Sequence, residues 1–154
     1  GTEMAARPRE VTDVRTVEDD SGTRYVLLKR SGDSSLVRDP TTGEERYVEN
    51  DALSAVEGES PLETAARAVP DQTRRVLRAV HSDQALGLLL ELDERGPVAV
   101  RDLMGSYDLC ESDLHGLLAE FTAAGLVTEA EVVGERGYEL TDVAREGLAA
   151  LRRE

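Results

Sequence analysis

Residues 114–141 constrain the fold more than any other stretch of the chain. Four apolar side chains recur there at helical spacing and form one stripe: Leu114, Leu117, Leu118 and Phe121. Gly125 follows the stripe and supplies the left-handed residue at which many helices end. Leu126 then begins a strand, a second strand returns to Leu140, and Thr141 can cap a final helix. The pattern predicts a helix, a β-hairpin and a closing helix.

Two short segments carry a resemblance to a known family. They read Ala124-Gly125-Leu126-Val127 and Tyr138-Glu139-Leu140-Thr141. Both resemble the end of the recognition helix and the return of the wing in winged helix-turn-helix regulators of the ArsR and MarR type. The resemblance covers roughly residues 70–153, and it implies a fold that places its second helix in a DNA groove. Because winged helices also serve as protein-binding modules, an interaction module without sequence-specific DNA binding is the alternative.

The charge balance is strongly acidic. Asp and Glu number 32 against 18 Lys and Arg, the formal net charge is −14, and Lys29 is the only lysine. This composition resembles that of proteins from salt-loving archaea, because molar salt shrinks the Debye length to about 3 Å and screens repulsion between carboxylates. We therefore predict a haloarchaeal protein adapted to high salt, with an ordinary acidic protein as the alternative.

The expected compartment follows from cysteine usage and hydropathy. Cys110 is the only cysteine, so an intrachain disulfide is impossible and a reducing compartment is expected. No apolar run approaches the roughly 18 residues that span a bilayer. We predict a cytoplasmic protein without a membrane partner.

The N-terminal part predicts a small β-meander. Residues 1–16 show no clear period and are expected to form a disordered arm. Three strands are predicted at Arg24–Arg30, Ser34–Arg38 and 45–48, separated by turn-forming residues, so residues 17–53 form the meander. This meander offers too few apolar side chains for independent stability, so it should pack on the rest of the chain or on a protein partner.

Helix signals dominate the remainder. Residues 54–60 are predicted as a linker, and residues 61–154 as the winged helix-turn-helix domain. Ser60 and Glu63 have the spacing of a capping box, as do Asp108 and Glu111 before the recognition helix. Ser82 is the expected cap of a central helix. The predicted fold class is mostly α (α+β), a winged helix-turn-helix preceded by a three-stranded antiparallel meander.

The outer face of the recognition helix is the predicted DNA site. With the apolar stripe inward, five residues face out: Ser112, Asp113, His115, Gly116 and Ala119. Serine and histidine side chains can contact bases or phosphates. The family commonly has a basic residue where this chain has Gly116, and this helix contains no Arg or Lys.

Basic residues near this helix are few. Arg136, in the predicted wing, is the candidate for the minor groove, and it is flanked by Glu129, Glu131 and Glu135. Arg101 is the candidate for a backbone phosphate. Double-stranded DNA is the predicted partner of these residues.

Other chemistry has little support. Cys110, at the start of the recognition helix, is a candidate redox switch, although a small residue filling the turn is the simpler interpretation. Cys110, Asp113 and His115 give too few soft ligands for a closed metal site, so no metal is predicted. No grouping of nucleophile, base and orienting residue is readable, and there is no glycine-rich phosphate loop. We predict neither enzymatic activity nor a cofactor.

The terminal helices suggest a homodimer. In ArsR and MarR relatives such helices form the dimer interface, and here helices near residues 70–80 and 142–153 carry apolar faces. The same faces could instead cover the domain core. A two-fold dimer would present two recognition helices to half-sites about one helical turn apart.

Overall fold

The computed structural model describes residues 14–152, which divide between Val69 and Pro70 into two units. Across the described residues it contains six α-helices and eight strands in two antiparallel sheets. The fold is therefore mixed rather than mostly helical. Within residues 14–152, no helix is long and apolar enough to cross a membrane. Residues 1–13 of the predicted arm lie outside the described residues.

The first unit is built on a five-stranded sheet. Its strands are β1 (Arg15–Glu18), β2 (Arg24–Arg30), β3 (Ser34–Arg38), β4 (Glu45–Glu49) and β5 (Ser54–Ala55). The order across the sheet is β4-β3-β2-β1-β5. The three predicted strands are present as β2, β3 and β4, with β4 one residue longer than expected. The prediction missed β1 and β5, which are short and mostly polar, and β1 includes two residues assigned to the arm.

Helix α1 (Pro61–Ala65) belongs to this first unit. The predicted capping box at Ser60 is confirmed, because its hydroxyl accepts from the Glu63 amide at 3.1 Å while the Glu63 carboxylate accepts from the Ser60 amide at 2.8 Å. The buried Thr64 hydroxyl hydrogen-bonds that of Thr16 in β1. These contacts tie α1 to the sheet, so the division of the chain falls after Val69 rather than before residue 61.

A half-buried carboxylate, that of Glu59, reinforces the contacts between α1 and the sheet. Glu59 accepts hydrogen bonds from Arg24 of β2, from the Thr64 hydroxyl at 2.7 Å, and from Nε and Nη2 of Arg67 at 2.9 Å each. The hydrogen bonds from Arg67, followed by that from Thr64 and the charge of both arginines, outweigh the burial of the carboxyl and lower the pKa of Glu59 from 4.5 to about 2. Glu59 therefore stabilises the first unit in its charged form.

The second unit begins with two helices and a short strand, continues with two more helices, and ends with a hairpin and a helix. Its elements are α2 (Asp71–Ala79), α3 (Asp83–Arg95), β6 (Val98–Ala99), α4 (Val100–Tyr107), α5 (Glu111–Ala123), β7 (Val127–Val132), β8 (Glu135–Leu140) and α6 (Asp142–Ala149). The strands form a sheet of order β6-β8-β7. A helix-turn-helix followed directly by a β-hairpin is consistent with a winged helix-like fold.

One apolar core holds this unit together. Its largest fully buried side chains come from the five helices of the unit, from the residue before β7 and from β8: Val76, Leu89, Leu92, Leu103, Leu114, Leu118, Phe121, Leu126, Leu140 and Leu148. Leu117, expected in the inward stripe, is only partly buried and packs at the edge of this core. The buried stripe fixes which face of α5 points outward.

The predicted helix ends are largely those of the structure. Ser82 accepts from the Ala85 amide at 3.1 Å, and Thr141 accepts from the Ala144 amide at 3.2 Å. Gly125 has φ +78°, and the Leu126 amide reaches back to the Phe121 carbonyl at 2.8 Å, which is the Schellman arrangement. The Thr141 hydroxyl also donates to the Gly125 carbonyl at 2.8 Å. These bonds join the end of α5 to the start of α6.

Candidate nucleic-acid interface

Helix α5 presents a continuous exposed face opposite its buried stripe. Leu114, Leu118 and Phe121 are no more than 1% exposed. The structure places the five predicted contact residues of this helix on the exposed side: Ser112, Asp113, His115, Gly116 and Ala119. The packing of α5 therefore brings the helical part of the predicted site together on one surface.

Gly116 has no packing role in this helix. A Cβ built at this position meets no atom within 4 Å, so the space above the backbone is open. Glycine inside a helix costs about 1 kcal/mol relative to alanine. Since nothing within the described residues requires its smallness, Gly116 leaves the helix backbone accessible to a partner at the centre of the exposed face.

The turn before α5 differs from the prediction. Asp108 ends α4 in the left-handed conformation with φ 54°, and α5 begins after Cys110, which is its N-terminal cap residue. Among the described residues, no side chain caps the first amides of α5, so the predicted capping box between Asp108 and Glu111 is wrong. The capping box does not form because Asp108 reverses the chain at the end of α4. Asp108 therefore lies two residues before Cys110, the position from which a side chain would cap α5.

Cys110 is exposed, and its sulfur lies 3.4 Å from the Ser112 hydroxyl. Carboxylates on the same helix surround the exposed face: His115 Nε2 lies 3.5 Å from Glu111 Oε2, one turn earlier. Among residues 14–152, no group of three or more His, Cys, Asp or Glu is arranged to hold a metal ion.

The wing is the hairpin of β7 and β8, closed by the two residues Val133 and Gly134. Both have positive φ, 50° and 77° respectively, as a type I′ turn requires. Val133 is 94% exposed, and a β-branched residue is strained in this conformation. The tip of the wing is thus a strained apolar side chain held in solvent.

Arg136 projects from β8 but is engaged within the wing. Its Nη2 donates to Glu129 Oε2 at 3.0 Å and to the Tyr138 hydroxyl at 3.2 Å. The guanidinium carbon also lies 5.9 Å from the centre of the Tyr138 ring. The Tyr138 hydrogen bond, followed by the Glu129 charge, raises the pKa of Arg136 above its usual value. Arg136 remains 63% exposed, so it can be approached from solvent.

Arg101 is similarly close to a wing carboxylate. Its Nε lies 3.6 Å from Glu135 Oε1, and the side chain is 79% exposed. Arg136 and Arg101 thus each lie beside a carboxylate of the hairpin, Glu129 and Glu135 respectively. Prediction from sequence noted the acidic neighbours of Arg136 but missed the role of Tyr138, which alternation along β8 places on the same face of the strand.

A second tyrosine orders another arginine near this region. Arg95 Nη1 donates to the Tyr107 hydroxyl at 2.7 Å, and that hydroxyl donates to Glu91 at 2.7 Å. The hydrogen bond to Tyr107 raises the pKa of Arg95 above its usual value. Sequence spacing gave no signal for this contact, because it joins the end of α3 to the end of α4.

Comparison with known proteins gives a family and weak structural similarity to a solved protein. Residues 14–152 match the family described as "Family of unknown function (DUF7346)". No curated protein matches the chain. Among solved structures, the transcriptional regulator HlyU from Vibrio vulnificus CMCP6 is 23% identical, with a TM-score of 0.46. The match covers 58% of this chain and 88% of that one.

Proposed function

The chain belongs to the family of unknown function DUF7346, and from the geometry of its second unit we propose that it is a DNA-binding transcriptional regulator. The observation that carries this proposal is the exposed face of α5, where Ser112, Gly116 and Ala119 are small and Gly116 has open space above it. A helix with a low, polar outer face can approach the base edges of a major groove closely.

The proposed contacts divide between bases and backbone. Ser112 and His115 supply hydrogen-bonding groups to base edges, Asp113 can accept from a cytosine amino group, and Gly116 and Ala119 permit close approach. Arg136 at the wing contacts the minor groove, and Arg101 contacts a phosphate. For both arginines, these DNA contacts compete with contacts to the present neighbours, Glu129 beside Arg136 and Glu135 beside Arg101. Each arginine therefore gains less electrostatic energy on binding DNA than an arginine without a neighbouring carboxylate would gain.

We further propose that the regulator works at high salt and as a homodimer in the cytoplasm of a haloarchaeon, without enzymatic activity. The net charge of −14 and the single lysine support the salt adaptation. Counterion release contributes little affinity in molar salt, so a sparse set of direct contacts suffices in place of a basic surface. Exposed Leu77 on α2 and Leu151 after α6 support a dimer through these helices.

The alternative function is a protein-interaction module that does not read DNA sequence. It is favoured by one specific observation, namely that Arg101 and Arg136 already lie beside carboxylates. On this interpretation, the exposed Val133 at the wing tip contacts a protein partner instead of the minor groove.

Selection from a random pool of duplex DNA distinguishes the two functions. The full chain in molar KCl should enrich a defined motif, whereas an Ala119→Glu variant should not, because the added carboxylate stands on the proposed groove-facing surface. Ala68→Glu is the matched control, since it adds the same charge at an exposed position of the first unit. Enrichment that survives Ala119→Glu, or no enrichment by the unaltered chain, contradicts the proposal.

A further inference from the structure

Helix α2 concentrates positive charge in an otherwise acidic chain. It carries Arg74, Arg75 and Arg78 but a single carboxylate, that of Asp71, whose oxygens lie 3.6 Å from Arg74 Nη2 and 3.7 Å from Arg75 Nη2. Arg78 makes no ion pair with any residue in the described part of the chain. Arg75 and Arg78 are three residues apart, so they lie on the same side of the helix.

These arginines line an open groove between α2 and the last turn of α5, here called the α2–α5 groove. Its lining includes Arg75, Arg78, His81, Glu120, Ala123 and Ala124. The guanidinium of Arg75 reaches across to α5, because a Cβ added at Gly125 would lie 3.2 Å from Arg75 Nη1. Alanines form part of the wall, which leaves a volume of about 510 Å³. That is the size of a small-molecule site.

From this geometry we infer that the α2–α5 groove binds a free phosphorylated small molecule, a phosphomonoester or polyphosphate with at least two negative charges. Guanidinium groups match phosphate oxygens through paired N–H donors, and His81 adds a further donor. Glu120 and the carbonyl ends of α2 and α5 oppose negative charge in the same groove. A ligand with a single charge would gain little against that opposition, so a multiply charged group is selected over the phosphodiester of DNA.

The first test is calorimetric titration of the full chain with tripolyphosphate. The double variant Arg75→Gln/Arg78→Gln should lose affinity by at least about tenfold, as expected for the loss of charge-assisted hydrogen bonds. Arg145→Gln/Arg152→Gln removes the same charge from α6 and the residues after it and should change affinity by no more than about twofold, since neither side chain lines the groove. Equal losses in the two double variants, or no binding by the unaltered chain, overturn the inference.

The second test locates the ligand and identifies its source. Tripolyphosphate should shift the amide resonances of Ala123, Ala124 and Gly125, and an excess of duplex DNA should leave those shifts unchanged. Shifts confined to other parts of the chain would contradict the site, and displacement by DNA would contradict a free ligand. Because tripolyphosphate does not require the exposed face of α5, this inference can fail or succeed independently of the proposed DNA binding.

Discussion

Replacing Gly116 by alanine tests whether this glycine serves DNA binding or the packing of its helix. The added methyl meets no atom of the described chain, so Gly116→Ala should stabilise the second unit by about 1 kcal/mol, the difference in helix propensity. For a unit of this size, that gain raises the melting temperature of its transition by about 4–8 °C. If packing required a glycine at this position, the alanine variant would instead have a lower melting temperature.

The same variant should bind DNA less well. If the α5 backbone approaches the base edges at this point, the methyl overpacks the interface and costs about 1–3 kcal/mol, where 1.4 kcal/mol corresponds to tenfold in Kd. Fluorescence anisotropy with the selected duplex measures the DNA affinity. Thermal unfolding of the same preparation, followed by circular dichroism, measures the stability.

Gly87→Ala provides the matched control. Gly87 lies inside α3, also with no atom within 4 Å of an added Cβ, and outside the exposed face of α5. It should show a similar gain in stability without a change in DNA affinity. Destabilisation of the chain by Gly116→Ala, or equal DNA binding by the two variants, would refute a DNA-binding role for Gly116.

Three further predictions concern other contacts. Because the pKa of Glu59 is lowered from 4.5 to about 2, its charged form contributes about 3 kcal/mol of stability above pH 4.5, and this contribution is lost as the pH falls towards 2. In Glu59→Gln, chemical denaturation of the first unit should lack this pH dependence, and an unchanged acid profile would contradict the assignment. Glu129→Gln should free Arg136 for the DNA and tighten DNA binding. Arg136→Glu should abolish DNA retention, while the melting temperature stays nearly unchanged. A DNA affinity that neither change alters would reject the wing contact. Val133→Asn should raise stability by about 1 kcal/mol, since asparagine tolerates the left-handed turn, and a lower melting temperature would show that the turn is not strained.

Local signals predicted most of the second unit. Gly125, Ser82 and Thr141 each mark a helix end through one residue's backbone preference or hydroxyl, and the apolar stripe of α5 fixes its orientation. Such signals lie within a few residues of the feature they specify, so sequence alone suffices to read them. The same holds for the capping box at Ser60.

Features that depend on distant partners were missed. Strands β1 and β5 are short and polar, and they are held by pairing with each other and with β2 rather than by their own pattern. The place of α1 depends on the hydrogen bond between Thr16 and Thr64, 48 residues apart. The capping box at Asp108 followed correct spacing, but the chain reversal after α4 required that residue. Likewise, the contact of Arg136 with Glu129 depends on the pairing of β7 with β8, whereas alternation along β8 could have indicated the contact with Tyr138.

The most direct test of DNA recognition by α5 is a genome-wide crosslinking footprint of the tagged protein in its native cells. DNA recognition by a homodimer predicts discrete peaks that share a palindromic motif, and the loss of those peaks in the Ala119→Glu variant at equal expression. A flat profile from well-expressed, unaltered protein would contradict DNA recognition by this helix.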